Sequence, residues 1–261
     1  MVKKPTRLRV SLLQFSSSQG QPLLTLNKVH RLVKHLDYRA DLLVTPEMWP
    51  TGFILGEKQR LQRENDLCLD YFKSLAVERK VYVISSMLET YGGQYFNSAF
   101  LINPHGKIQK KYRKIHLFKL SQEHKKFNPG NEVVVAEVKG VALGVAICYD
   151  LRFPEVFRKM LKWNVEVIAI PAAWPKPRLD HFNTLLKARA IENQAYVLGV
   201  NKVGQSLHGE VYAGNSSVYD PWGVCLGKLG TGLEVLNCEL NLNRLRKIRE
   251  EFPALKDRRL W

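Results

Sequence analysis

Hydrophobic and polar residues alternate at the start of the chain and then change to a helical spacing. Leu8, Val10 and Leu12 recur at every second position within Arg7–Phe15, which predicts a half-buried β-strand. From Leu23 to Leu36 the apolar positions follow the three-to-four-residue period of an amphipathic helix. A strand followed by a helix is the first instance of an alternation that continues along the chain.

The same two periods divide most of the remaining sequence. Apolar runs predict further strands at Leu42–Val44, Val81–Met87, Tyr95–Ile102, Lys107–Tyr112, Val133–Val138, Val141–Ile147, Val165–Ile170, Tyr196–Val203, Ser216–Tyr219 and Val235–Leu240. Helices are predicted around Leu67–Leu75, from Phe153, from a cap at Asp180 to Asn193, and over Asn241–Phe252. Alternating strands and helices imply an α/β protein in which helices cover strand layers. No repeat or linker interrupts the pattern, so residues 1–261 are predicted to form a single domain.

One stretch, residues 141–155, combines a buried strand with reactive chemistry. Its first part, VALGVAIC, is almost continuously apolar, as in a strand buried on both faces. Pro154 suits the first position of a helix and Glu155 its first turn, so Cys148 is placed at a strand-to-helix corner near free backbone N–H groups. Such groups stabilise a thiolate and bind an oxyanion. The alternative is a buried core thiol, because free cysteine is among the most buried residue types.

Two further ionisable residues stand at predicted strand ends. Glu47 follows the apolar LLVTP, and Lys114 lies in KYRKIHLF. Taken singly, each would be a solvated surface charge. Together with Cys148 they are expected to converge where the strands end, and the hypothesis of a catalytic site depends on this combination.

Charge is the one unusual bulk property. The chain has 40 Lys+Arg against 24 Asp+Glu, a net charge of +16, but the basic residues are spread from Lys3 to Arg259 and not clustered with aromatic residues as in a nucleic-acid-binding protein. No apolar run could span a bilayer, and the N-terminus lacks the apolar core of a signal peptide. Four cysteines without a C-x-x-C pair argue against a zinc site or a disulfide scaffold and favour the reducing cytoplasm. His116, His124 and His181 are too scattered to suggest a metal site.

The segments around Glu47, Lys114 and Cys148 together resemble the nitrilase superfamily of carbon–nitrogen hydrolases, whose Glu–Lys–Cys triad lies in these motifs in this order. The resemblance covers essentially the whole chain and includes Glu123 in SQEHKKFNPG, where the family often has a second glutamate. It implies a four-layer αββα sandwich, commonly dimerised through the helical layer, with the C-terminal helix and tail, residues 241–261, as a candidate dimer contact that ends in the aromatic Trp261. PEMWPTGF, AAWPKPRLDHFNTLLKARAIENQAYVLGVNKVG and EEFPALKDRRLW are most similar to the omega-amidase branch, whose members hydrolyse the terminal amide of 2-oxoglutaramate.

The resemblance implies roles that amide chemistry requires. An amide carbon is a poor electrophile and ammonia a poor leaving group, so a thiolate nucleophile and a proton donor are both needed. Cys148 is expected to be the nucleophile, and Glu47 to take its proton and deliver it to the departing nitrogen. Lys114 and the backbone N–H of Tyr149 are expected to stabilise the oxyanion. Glu123 is expected to orient Lys114 or the substrate amide, the alternative being a loop carboxylate in solvent.

Aromatic and basic residues near these motifs are candidates for the substrate pocket. Trp49, Phe118 and Trp174 could form its walls, although each could equally be ordinary packing. The carboxylate of a 2-oxo acid requires a cation, and Arg178 is the first candidate because its planar guanidinium pairs with a carboxylate through two hydrogen bonds. Lys176 and His181 are weaker candidates, and a solvent-facing arginine is the alternative for Arg178.

The sequence therefore predicts a cysteine-dependent amidase that uses water to hydrolyse the terminal amide of a small 2-oxo acid. It is expected to be a cytoplasmic homodimer without a metal, an organic cofactor, or a nucleic-acid or membrane partner. A hydrolase of another small C–N substrate, such as an N-carbamoyl amino acid or an aliphatic amide, is the second hypothesis. A non-catalytic or nucleic-acid-binding protein is the third, and the complete triad disfavours it because a binding module does not need these three residues together.

Overall fold

The computed structural model describes residues 5–54, 58–207 and 209–259, which form twelve strands and five α-helices. The strands are β1 (Arg7–Gln14), β2 (Leu42–Val44), β3 (Tyr82–Tyr91), β4 (Gln94–Ile102), β5 (Ile108–Arg113), β6 (Val134–Val138), β7 (Val141–Val145), β8 (Val167–Pro171), β9 (Tyr196–Val200), β10 (Ser217–Tyr219), β11 (Cys225–Lys228) and β12 (Glu234–Asn241). The helices are α1 (Pro22–Leu32), α2 (Lys58–Arg79), α3 (Pro154–Met160), α4 (Leu179–Asn193) and α5 (Leu242–Glu251).

The strands form two six-stranded sheets with the same plan. Their orders are β12-β1-β2-β3-β4-β5 and β11-β10-β9-β8-β7-β6. The neighbours β1, β2 and β3, and likewise β7, β8 and β9, are parallel and are connected by α1, α2, α3 and α4. Antiparallel strands complete each sheet on both sides. Parallel strands need such helical crossovers, which place the helices on the outer faces of the sheets.

Alternate residues of the central strands face different layers. Leu42 and Val44 of β2 share a core with Val167 of β8 between the two sheets. Leu43 instead packs with residues of α1 and α2, and Ile168 packs with residues of α3 and α4. Because side chains alternate across a strand, one apolar run supplies both cores. The layers are therefore helix, sheet, sheet, helix, and the predicted αββα sandwich is confirmed.

The elements differ from the prediction in several places. Strand β11 was not predicted, because its short sequence is mostly exposed at a sheet edge. Helix α4 begins at Leu179, so Asp180 lies in the first turn and not at the cap. Strand β7 ends at Val145, short of the predicted Ile147.

Trp261 lies outside the described residues. None of the helices in the described ranges combines the length and apolar character of a membrane span.

The strand ends bring three segments of distant sequence to one edge of the sandwich. Glu47 follows β2, Lys114 follows β5, and Cys148 follows β7. The two sheets are tied together at this edge, where the N–H of Glu47 donates to the carbonyl of Ala172, 3.3 Å away. The edge that carries Glu47, Lys114 and Cys148 is therefore also a place where the two sheets are joined.

Candidate active site

Cys148 lies on a sharp turn between β7 and α3. Its φ angle is +45°, a left-handed conformation that is costly for a residue other than glycine and is often found at functional sites. A 3₁₀ turn over Cys148–Arg152 follows, and α3 then begins at Pro154. Cys148 is partly exposed. Tyr149 belongs to the first turn of this short helix, where backbone N–H groups have no acceptor within the helix.

The turn is held by the fully buried carboxylate of Asp150. Asp150 accepts hydrogen bonds from the N–H of Ile147 at 3.0 Å and from the Tyr112 hydroxyl at 2.7 Å. The N–H and Nδ1 of His116 lie 2.9 and 2.8 Å from its other oxygen. Hydrogen bonds to a charged acceptor are stronger than those between neutral groups. Asp150 therefore couples the conformation of the turn at Cys148 to strand β5 and to the segment after it.

Two more buried side chains fix the loops beside Cys148. Arg189 of α4 donates through Nε and Nη2 to the carbonyl of Leu151, at 3.1 and 2.8 Å. Asn201, after β9, accepts from the N–H of Trp174 at 2.6 Å and donates to its carbonyl at 3.1 Å. Both loops next to the sulfur are thus anchored by side chains that lie in the protein interior.

A buried cluster of charges lies next to the cysteine. The Nζ of Lys114 is 2.8 Å from Glu47 Oε1 and 2.8 Å from Glu123 Oε2, and all three side chains are almost completely buried. Asn97 Nδ2 bridges the carboxylates, donating to Glu47 Oε1 at 2.7 Å and to Glu123 Oε1 at 2.9 Å. Burial alone would lower the pKa of Lys114, but the charges of Glu123 and Glu47 outweigh it and raise that pKa well above its usual value. Lys114 is therefore an ammonium ion at neutral pH.

The thiol of Cys148 is held in its protonated form. Burial and the negative charge of Glu47 raise the pKa of Cys148 well above its usual value, while Lys114 and the N–H of Ala173 act in the opposite direction. A thiol of this kind needs a base before it can act as a nucleophile. Glu47 contacts the thiol, and its buried Oε2 has no nitrogen or oxygen partner among the described residues. This oxygen is available to accept the thiol proton.

Cys148 lines a pocket with a cavity of about 120 Å³. Phe118, Trp174 and Arg178 lie on its wall. The indole N–H of Trp174 donates to the carbonyl of Arg178 at 2.7 Å, and the Arg178 guanidinium lies 5.5 Å from the Phe118 ring centre. Glu123, Lys114 and Tyr149 also line the pocket.

The assignment of Trp49 to this pocket is wrong. Its side chain is fully buried in the core between the first sheet and α1 and α2, and its indole N–H donates to Ser85 Oγ at 2.8 Å. The ring packs edge-on against Phe15 and Phe72. Met48, directly before it, has a φ of +44°, a left-handed turn that the sequence does not signal.

Sequence reasoning missed three buried polar residues of this region: Asn97, Asp150 and Lys202. Asn97 interrupts the apolar run of β4, and Lys202 lies in the otherwise apolar AYVLGVNKVG. A polar residue within a buried run was the available signal, because such a residue requires a partner inside the protein.

Among the described residues, no group of three or more His, Cys, Asp or Glu side chains is arranged to hold a metal ion.

The comparisons with known proteins agree on one family. A model of the carbon–nitrogen hydrolase family matches residues 9–250. The chain is 36% identical over 250 residues to a 2-oxoglutaramate amidase of Bacillus subtilis, covering 95% of this chain and 96% of the relative. It is 35% identical over 257 residues to the omega-amidase YafV of Yersinia enterocolitica, with 96% of each covered. A CN-hydrolase superfamily structure from Xanthomonas campestris has a TM-score of 0.90 at 28% identity, with 98% of each chain covered.

Tyr112→Phe should destabilise the protein because it removes one donor from the buried Asp150 carboxylate. The expected loss in the free energy of unfolding is about 1.5–3 kcal/mol, the range for hydrogen bonds to charged groups. Tyr196→Phe is the matched control, since that hydroxyl donates at 2.8 Å to the neutral carbonyl of Asn241, and it should cost about 0.5–1.5 kcal/mol. Urea unfolding of both variants measures the difference. A Tyr112→Phe loss no larger than that of the control would contradict the anchoring role of Asp150.

Proposed function

Because the chain belongs to the carbon–nitrogen hydrolase family, we propose that it is a cysteine-dependent amidase that releases ammonia from the terminal amide of a small 2-oxo acid such as 2-oxoglutaramate. The observation that carries this proposal is the contact of a pocket thiol, Cys148, with the buried cluster formed by Glu47, Lys114 and Glu123. Two relatives named 2-oxoglutaramate amidase and omega-amidase support the substrate class.

In the proposed acylation step, the sulfur of Cys148 attacks the amide carbon while Glu47 accepts the thiol proton. The carbonyl oxygen becomes an oxyanion, which the Lys114 ammonium and the N–H of Tyr149 stabilise. One donor of this kind is worth about 10²–10³ in rate. Glu47 then delivers the proton to the nitrogen, the carbon–nitrogen bond breaks, and ammonia leaves a thioester on Cys148.

The proposed second step hydrolyses the thioester. Glu47 takes a proton from water, whose oxygen attacks the thioester carbon, and the sulfur leaves and recovers a proton from Glu47. Glu123 and Asn97 act by holding Lys114 and Glu47 in place, because each forms hydrogen bonds to the cluster and is itself buried. The free enzyme is regenerated with the thiol protonated.

Among the residues that line the pocket, four basic side chains stand against three acidic ones, a balance that favours an anionic substrate. Arg178 is partly exposed, and its Nη2 lies 3.6 Å from Glu210 Oε1, a contact too long for a strong hydrogen bond. A substrate carboxylate could replace Glu210 with better geometry, through two hydrogen bonds to the guanidinium. Arg152 and Lys126 also line the pocket and add positive charge. Arg178 is therefore the proposed partner of the substrate carboxylate.

We place the enzyme in the cytoplasm and propose that it acts as a homodimer. The four cysteines are free, as expected in a reducing compartment. An apolar patch is formed by three side chains that are each about half exposed: Ile191 on α4, Trp222 before β11 and Phe252 after α5. The rings of Trp222 and Phe252 are 5.9 Å apart. A second copy covering this patch would remove it from water.

The central test compares amide substrates on the wild-type protein and two cysteine variants. The wild-type protein should release ammonia from 2-oxoglutaramate faster than from glutamine or short aliphatic amides, and quenched samples should carry an acyl adduct on the peptide that contains Cys148. Cys148→Ala should lower kcat by about 10⁴-fold or more because it removes the nucleophile. Cys225→Ala, at an exposed cysteine, is the control and should be fully active. Turnover by Cys148→Ala, or an adduct on Cys225, would refute the mechanism.

Arg178→Ala should separate charged from neutral substrates. The kcat/KM for 2-oxoglutaramate should fall about 10–100-fold, corresponding to the loss of hydrogen bonds between charged groups, while an uncharged amide of similar length should be spared. Lys176→Ala is the matched control, because Lys176 is exposed on the same loop and does not line the pocket. Equal losses of kcat/KM on both substrates would show that Arg178 has a structural role. No loss on either substrate would show that it is a surface residue that does not bind the substrate.

The dimer is tested by Trp222→Lys, which places a charge at the centre of the apolar patch. Light scattering at micromolar concentration should show a dimer for the wild-type protein and a shift toward the monomer for the variant, because a buried unpaired charge opposes association. Lys187→Glu is the comparison variant. It changes a charge on α4 beside the patch and leaves the apolar side chains of the patch in place. A wild-type monomer at this concentration would contradict the proposal.

A further inference from the structure

Lys202 is a fully buried lysine to which the mechanism above assigns no role. It follows β9, has no exposed surface, and its Nζ donates to the backbone carbonyl of Met48 at 3.1 Å. Among the described residues, no carboxylate forms an ion pair with it. A buried ammonium ion without such a partner is costly, so its presence calls for a physical reason.

The surroundings of Lys202 place it directly behind the active site. Its ammonium lies 5.6 Å from the ring centre of Phe53 and 5.8 Å from that of Tyr212, two aromatic residues that line the pocket. Aromatic faces attract cations and partly replace the lost water. Lys202 therefore lies on the inner side of the pocket wall, where a charge acts on the site without touching the substrate.

The hydrogen bond to Met48 reaches the residue next to Glu47. Met48 has a left-handed backbone with φ of +44°, and its N–H donates to Ser86 Oγ at 3.1 Å. Lys202 holds the carbonyl at the other end of the same residue. A strained residue persists only when its surroundings fix it, so these two contacts together set the direction in which the chain leaves Glu47.

The charge of Lys202 is also coupled to the reacting groups. Burial lowers the pKa of Lys202 to about 8, while the charges of Glu47 and Cys148 raise it. The hydroxyl of Tyr212 also faces this region, and burial and Glu47 raise its pKa, so it stays neutral. Coupling between two titrating groups is reciprocal, so the Lys202 ammonium favours the ionised form of Cys148. Two carboxylates outnumber the single Lys114 ammonium in the cluster, and Lys202 offsets that excess.

We propose that Lys202 is a positioning residue for the amidase reaction, whose ammonium fixes the Met48 carbonyl behind Glu47 and stabilises the negative charge that forms on Cys148. The inference rests on the proposed function only in that Cys148 is the reacting group. It can be tested on the thiol itself, without any amide substrate.

The test measures the rate at which iodoacetamide alkylates each cysteine at pH 7, where Lys202 is charged, by mass spectrometry of peptides. Lys202→Met should slow alkylation of Cys148 about tenfold or more, since one unit in a thiol pKa changes its thiolate fraction tenfold. The exposed Cys225 is the internal control and should react at an unchanged rate. Lys28→Met is the matched variant, because Lys28 Nζ also donates to a backbone carbonyl, that of Ser16 at 3.4 Å. It should leave Cys148 unaffected.

A folded Lys202→Met protein whose Cys148 reacts within twofold of the wild-type rate would overturn the proposal and leave Lys202 a structural residue. Because this readout needs no amide, it stays valid even if 2-oxoglutaramate is not a substrate. Should the variant not fold, the pH profile of kcat/KM for Lys202→Arg carries the test. The wild-type value should decline with an apparent pKa near 8 as Lys202 loses its proton, whereas the guanidinium stays charged and should remove that decline. A decline shared by both proteins would refute the proposal.

Discussion

The rest of the site depends on one interaction, the buried ammonium of Lys114 between the carboxylates of Glu47 and Glu123. An isolated ion in the protein interior costs several kcal/mol, and only close pairing with further hydrogen bonds offsets this. The three charges come from segments far apart in sequence, so they can be paired only when the ends of β2 and β5 meet. Removal of one partner would leave an uncompensated charge, at a cost of about 3–5 kcal/mol. Folding and assembly of the site are therefore the same event.

The same cluster, together with burial, explains why Cys148 rests as a thiol. Burial raises the pKa of the Cys148 thiol most, the negative charge of Glu47 raises it further, and Lys114 acts in the opposite direction. The carboxylate that opposes ionisation of the thiol is also the group that contacts it, so the proposed proton transfer from Cys148 to Glu47 has a short path. Lys114 cannot serve as a base, since its pKa is raised well above the usual value. In the proposed mechanism the base and the oxyanion partner are therefore different residues of one cluster.

Particular residues show which parts of the fold and of the site can be predicted from the sequence. The central strands were predicted because both faces are buried and their apolar runs are continuous, and Glu47 and Cys148 stood out because each follows such a run. Strand β11 was missed because an exposed edge has no such run. Asn97 is visible in the sequence as a polar residue within an apolar run, but its partners depend on which strands become neighbours, which a single sequence does not specify. Trp49 was misplaced because nothing in the sequence signals the left-handed turn before it.

Backbone strain links these observations. Met48 and Cys148 both adopt left-handed conformations, with φ of +44° and +45°. Met48 directly follows Glu47 of the proposed triad, and Cys148 belongs to that triad. Such conformations cost about 1–3 kcal/mol each for residues other than glycine, and they persist only where the surroundings fix them. Here the surroundings are buried polar side chains: Asp150 binds the N–H of Ile147 before Cys148, and Lys202 binds the carbonyl of Met48. Side chains that do not line the pocket therefore fix the backbone beside Glu47 and Cys148, the proposed base and nucleophile.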